Sequence, residues 1–332
     1  MATKGGVIRW LVVHLILVLC FINTAFAELT PEQQAAKDRG IAIFNQYRVS
    51  GPELRIAAEA GDAEAQFYLG EELRQLSRFI TPESQQWLEA AANQGYVYAM
   101  IRLARSGGNL CAVAGNCPES NRTPEEWLQH ARDVTLPLAE QGDPEAMIQM
   151  YRISSDTKWL VKAAEAGHAE AQYLQAIAIR NGAGFYWWPG DRQKDAERWF
   201  EASARNGHPL SMMSHAAVLF AKGDNAGYRY WLEKAASTGY ASAVFGLGIY
   251  SAHEPEKADI ELDLVKGYGL LTMLLELDGG GSIKSSAESV LPSIEAKMTP
   301  EQIEQALAFA EEWKSIHPPL SFFPQILNPM DN

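Results

Sequence analysis

Few side chains in this chain stand at spacings that do chemistry. Seven histidines occur, none in a His-Glu-x-x-His pattern that would set two imidazoles on one helical face for zinc. No Gly-x-Ser-x-Gly elbow and no phosphate-cradling loop is present, and Gly279, Gly280 and Gly281 follow a predicted helix rather than a strand. His168 and His208 each follow a glycine, where a polar turn residue is expected. His208 and His215 are seven apart, and no acidic residue lies at helical spacing with both. Glu59, Glu64, Glu71 and Glu72 are scattered along predicted helices without a cleft, so no hydrolytic carboxylate pair is assigned. The expectation is a non-enzymatic protein with no catalytic residue, no metal and no cofactor.

Two constellations remain. Cys111 and Cys117 enclose a short loop with Gly115 to turn it. Zinc would need two further ligands with only His130 near, and a Cys-x-x-Cys redox pair is absent. In an oxidising compartment such a pair bridges, so a structural disulfide is expected. The second is Phe185, Tyr186, Trp187 and Trp188, directly before Pro189. Four consecutive aromatics in a loop cannot all face a core. They predict an exposed contact for a protein or a glycan, with Trp187 and Trp188 as the contacting pair. The alternative is that the loop folds back and seals a groove.

The compartment comes from residues 1–27, which read as a secretory leader. Lys4 and Arg9 precede an apolar stretch from Trp10 to Ile22, and Ala25-Phe26-Ala27 is a small-x-small cleavage signature. Thirteen apolar residues are short for a membrane span. Acylation at Cys20 is the weaker reading, because Leu19 stands where a small residue is usual. Cleavage after Ala27 leaves no stable membrane anchor and predicts the periplasm of a Gram-negative bacterium. The full chain of 332 residues carries 28 Lys and Arg against 41 Asp and Glu, a net charge of −13. Without Lys4 and Arg9 it becomes −15. That charge argues against nucleic acid and anionic lipid, and predicts a protein partner with a basic surface.

The elements that carry these residues repeat. Ala-x-x-Gly recurs six times, ending at Gly61, Gly95, Gly142, Gly167, Gly207 and Gly239, with spacings of 34, 47, 25, 40 and 32. Four residues after each glycine stands a small residue: Ala65, Ala99, Ala146, Ala171, Ser211 or Ala243. Eight before it stands Trp87, Trp159, Trp199 or Trp231 in four copies. Tryptophan, the next residue and the small pair four and five later share one helical face. The glycine takes the left-handed turn, and Asp62 and Asp143 suit the N-cap of a second helix. Each copy is therefore a tight αα-hairpin, with the four tryptophans expected as repeat core. The 25-residue spacing shortens one copy, and the 47- and 40-residue spacings hold the cysteine loop and the aromatic loop. The tail from His317 to Pro324 is expected to drape over the C-terminal end.

These columns resemble the Sel1-like repeat family of the tetratricopeptide-like superfamily, over roughly residues 50–313. The clearest copies run from Trp159 to Gln172 and from Asp195 to Gly207, and Asp263 to Leu270 resembles a degenerate terminal copy. The resemblance implies an all-α solenoid of six to seven helical hairpins. The expected division is an N-terminal capping helix in 28–48, an array over 49–278, and a linker, capping helix and Pro-rich tail over 279–332. It also implies that Phe185 is structural and that the chain is a scaffold or adaptor for proteins. Narrower roles it implies are an immunity protein neutralising a secreted toxic effector, such as a type VI phospholipase, and a scaffold for exopolysaccharide assembly. Carbohydrate binding by the aromatic loop is the alternative.

Overall fold

The computed structural model describes residues 28–105, 115, 118–253, 260–277 and 282–322. The leader with Cys20, and Cys111 and Cys117 with their expected disulfide, lie outside the described residues. Within them the chain is all helix apart from one bridge of extended backbone, Tyr240 to Ser321.

A first helix, α1 (Pro31–Phe44), starts at a capping box in which Thr30 and Gln33 bond each other's backbone amides. Six hairpins follow. They are α2 (Gly51–Glu59) with α3 (Ala63–Ser77), α4 (Pro82–Asn93) with α5 (Val97–Ala104), and α6 (Pro124–Glu140) with α7 (Pro144–Ser154). Then come α8 (Thr157–Glu165) with α9 (Ala169–Arg180), α10 (Asp191–Arg205) with α11 (Pro209–Ala221), and α12 (Asn225–Ala236) with α13 (Ala241–Ala252). A degenerate seventh unit is α14 (Leu264–Met273) with α15 (Ile283–Glu295), and α16 (Pro300–Ile316) closes the array against α14. From α1 to α15 each helix packs on the next, which is the contact pattern of a solenoid.

All six repeat glycines have φ between +80° and +99°. At five of them the residue after the glycine donates to the carbonyl five residues earlier, as Asp62 does to Ala57 and His168 to Ala163. These are Schellman closures, and they reverse the chain in a single residue. The second helix then starts on a side-chain cap: Asp62, Asp143, His168 and His208 each accept from the amide three residues on. The small column behind the cap, from Ala65 to Ala243, is buried in every copy. It lets the paired helices approach closely. In the short copy, left-handed Ser155 and the Asp156 cap join α7 to α8 with almost no loop.

The tryptophan column sits differently from expectation. The position after it is buried in all six copies, as Leu54, Leu88, Thr135, Leu160, Phe200 and Leu232. Leu54 and Leu88 press onto Gly40 and Gly70 of the preceding helix, where a Cβ would come within 2.8 Å of them. Of the tryptophans, Trp159 is buried while Trp87, Trp199 and Trp231 are half-buried at the rim of the core. Cations cover the faces of three: Arg55 over Trp87, Lys162 over Trp159 and Arg198 over Trp199. The fully buried indole is Trp127, in line with Ala131, Thr135 and Ala139 on the inner face of α6.

The tail reaches further than the C-terminal end. Ser321 donates to Gly239 O and accepts from Ala241 N, both at 2.9 Å. Phe322 N donates to Asn45 O (3.1 Å), and Gln46 Nε2 donates to Leu320 O (2.7 Å). The strap over 317–322 thus ties the turn before α13 to the end of α1, and it buries Leu320 among the C-terminal helices. An array whose first helix meets its last segment has curled through most of a superhelical turn.

Two outcomes follow for stability. Gly61→Ala meets open space and should lose only the left-handed backbone preference, about 1 kcal/mol. Gly239→Ala carries the same loss, and its Cβ would also lie 2.4 Å from Pro319 O, so the strap must lift. Thermal unfolding should show the larger loss at 239, with new proteolytic cutting in 317–322 in that variant alone. Equal losses and an uncut tail would separate the strap from this glycine.

His208 gives a pH dependence. Burial first, and then the nearby His168, pull its imidazole down to about 4, so it is neutral and caps α11 with Nδ1. The unfolded chain takes up that proton near pH 6.5, so stability is full above 6.5 and declines as pH falls toward 4. The loss approaches ~3 kcal/mol. His208→Asn keeps a capping acceptor without the titration. Denaturant unfolding between pH 7 and 4 should fall more steeply for the wild type than for the variant.

Candidate functional site

The longest described irregular stretch between consecutive helices is the loop over 181–190, which joins α9 of one hairpin to α10 of the next. Left-handed Gly182, Gly184 and Gly190 give it its sharp turns. Arg192, in the first turn of α10, holds it. Its guanidinium donates to Ile179 O (3.1 Å), Ala183 O (2.6 Å) and Gly184 O (3.1 Å). The same group lies 4.7 Å over the Tyr186 ring. Tyr186 donates its hydroxyl to Asp195 Oδ2 at 2.7 Å, and Arg198 holds the other oxygen at 2.6 Å. Desolvation and the Asp195 bond raise the Tyr186 phenol above its ordinary range.

Tyr186 is therefore the anchor, and the other three aromatics are free of the body. Phe185, Trp187 and Trp188 are 75%, 82% and 74% exposed. Phe185 meets Trp187 edge to face with centroids 4.8 Å apart. This corrects the expectation that Phe185 is structural: Arg192 selects Tyr186, whose ring takes a cation on its face and whose hydroxyl finds a carboxylate. The loop does not fold back to seal the array.

Beside the loop, α9, α10 and α11 enclose a groove of about 920 Å³. Tyr173 and Phe200 form one wall, and Leu210, Met213, Ala217 and Val218 of α11 form the other. Arg180, Arg192, Lys222 and Glu197 stand at its rim. Lys222 binds Glu197 at 2.7 Å and holds that carboxyl below its usual range, while Arg180 lies 5.4 Å over the Phe200 ring. Ser214 donates its hydroxyl to Leu210 O of its own helix.

Three histidines of the repeats have structural places. His168 and His208 are caps, with His168 Nε2 also 3.0 Å from Glu145, and His215 packs edge to face on Trp231 at 5.4 Å. Among the described residues no three His, Cys, Asp or Glu side chains are grouped to hold a metal. Nor is any described helix long and apolar enough to cross a membrane. The groove was missed from sequence because its walls come from three helices, each supplying one stripe. The signal that was available is the run of apolar and small residues along α11.

The loop's rigidity can be measured. Arg192→Ala removes three backbone contacts and the cation over Tyr186. Amide exchange over 183–189 should accelerate at least tenfold, and Trp187 and Trp188 should lose fluorescence anisotropy. Global stability should move by only about 1–2 kcal/mol, because the loop lies outside the core. Unchanged exchange would show that the glycine turns alone hold the loop.

Comparison with known proteins gives structural likeness only. The chain is similar to a crystal structure of a protective antigen of uropathogenic Escherichia coli strains that displays an SLR fold, at 19% identity and a TM-score of 0.47. The match covers 91% of this chain and 64% of that one, so the chain spans under two thirds of the antigen's length. It is also similar to a Sel1 repeat protein from Oxalobacter formigenes, at 20% identity and a TM-score of 0.43, over 94% of this chain and 88% of that one. No family model and no curated protein matches the chain. The assignment of an all-α solenoid stands on the helix order, turns and packing described above.

Proposed function

We propose that this chain is a non-enzymatic Sel1-like repeat scaffold that binds a protein through the 181–190 loop and the adjoining groove. The observation that carries the reading is the pre-formed aromatic triad. Phe185, Trp187 and Trp188 are held out on a loop that Arg192 and Tyr186 fix from beneath. Exposing three large rings costs solubility unless something covers them, and rigid aromatics lose little entropy when covered.

The leader-like residues 1–27 support a periplasmic location. The net charge of −13 favours a partner with a basic face, steered over the acidic surface. A toxic effector silenced by the chain is the immunity form of this reading, and a polysaccharide-assembly protein is the scaffold form. One observation favours a second reading. Two exposed neighbouring indoles are also a stacking platform for sugar rings, and a soluble glycan that quenches Trp187 and Trp188 would select carbohydrate binding.

A photo-crosslinking residue at 187 or 188, compared with the same residue at exposed Leu76 of α3, tests the proposal in intact cells. A discrete adduct from the loop and none from position 76 is expected. The double variant Trp187→Ala, Trp188→Ala should weaken binding of the captured protein by at least 2 kcal/mol, about thirtyfold. Its stability should change by less than about 0.5 kcal/mol, as for exposed sites. No adduct, or an unaltered affinity, would remove the loop from the interface.

A further inference from the structure

The groove runs against the charge of the whole molecule. The chain is strongly acidic, yet the rim carries Arg180, Arg192 and Lys222 against Glu197 alone. Arg192 is committed to loop carbonyls, and Lys222 is half-neutralised by Glu197. Arg180 is different. It is exposed and lies over the Phe200 ring, and no carboxylate among the described residues is paired with it. An unpaired guanidinium can meet a carboxylate with two parallel hydrogen bonds.

We propose that the groove takes an extended acidic segment of the partner protein, with a carboxylate on Arg180 and aliphatic side chains against Leu210, Met213 and Val218. This rests on the protein-binding reading of the adjoining loop and names what enters beside it. The volume of about 920 Å³ suits a few side chains rather than a folded domain. The aliphatic wall favours a peptide over a glycan. A sugar needs converging polar groups, whereas Leu210, Met213, Ala217 and Val218 offer none and the Ser214 hydroxyl is already donated to Leu210 O. Met213 is unbranched and can adjust to more than one aliphatic side chain. A basic segment would meet three cations at the rim. The groove therefore selects a local sequence opposite in charge to the basic face that the rest of the surface favours.

Bead-displayed random decapeptides, selected on the full chain, test this directly. Enriched peptides should carry Asp or Glu next to Leu, Met or Val. They should lose at least tenfold in affinity on Arg180→Glu and several-fold on Arg180→Gln, with both variants retaining the wild-type melting temperature. Enrichment of neutral or basic peptides, no enrichment, or affinity indifferent to both variants overturns the inference. Binding of oligogalacturonate in place of peptides overturns it in favour of an acidic glycan. The loop crosslink from 187 or 188 is independent of Arg180. A retained crosslink with failed selection rejects the acidic segment alone, and loss of both rejects the protein-binding reading as well.

Discussion

The structure depends on one backbone event, the reversal of a helix within a single left-handed glycine. At Gly61, Gly95, Gly142, Gly167 and Gly207 the closing hydrogen bonds are the same. The following helix therefore leaves each turn at nearly the same angle. Everything else in the repeat answers that angle. The second helix starts at once, and in four copies the very next side chain, Asp62, Asp143, His168 or His208, caps it. It runs close to the first, so the facing position is Ala or Ser. An interior glycine such as Gly70 leaves a notch for the leucine of the next copy. Chirality makes the turn cheap only for glycine, and a longer connection would leave hairpin geometry undetermined.

The site occupies the part of the array where the core is least continuous. Buried apolar residues form one large cluster from Phe44 to Trp159 and another from Ala204 to Leu320, with two small clusters between them. The loop and groove sit over the small ones, at α9 to α11. The strap ties Asn45 and Gln46 to residues 320–322. The ends are joined by hydrogen bonds.

Punctuation was the most legible part of the sequence. The glycines, the caps at Asp62 and Asp143, and the small column each follow from local stereochemistry, which a linear sequence displays in full. The tryptophan column misleads for a physical reason. A large amphipathic ring is best placed at a rim, with one face on apolar neighbours and the other under a cation, so recurrence marked a shoulder and the next residue marked the core. Trp127 carried a visible signal, a four-residue ladder through Ala131, Thr135 and Ala139. It lies off the glycine register, so the repeat columns do not pick it out. In the aromatic loop, Tyr186 rather than Phe185 became the anchor because its hydroxyl could reach Asp195. That choice depends on where α10 places Asp195 and Arg192, which spacing alone does not give. The strap's reach to α1 is a consequence of accumulated curvature, a property of the whole array that no local pattern encodes.

Curvature also connects the strap to the groove. A segment lying between α9 and α11 touches helices of two successive copies, so its binding energy acts on the angle between those copies. In an open solenoid that angle would change freely and the ends would swing. Here the ends are pinned through Ser321 and Phe322, so a change of angle in mid-array must be taken up within the loop of helices or break the strap's hydrogen bonds. Closure therefore opposes a change in the groove's width. Arg192 does the same for the aromatic loop from beneath. Both devices restrict the geometry of the surface that the proposed partner would meet, so less ordering remains to be done on contact.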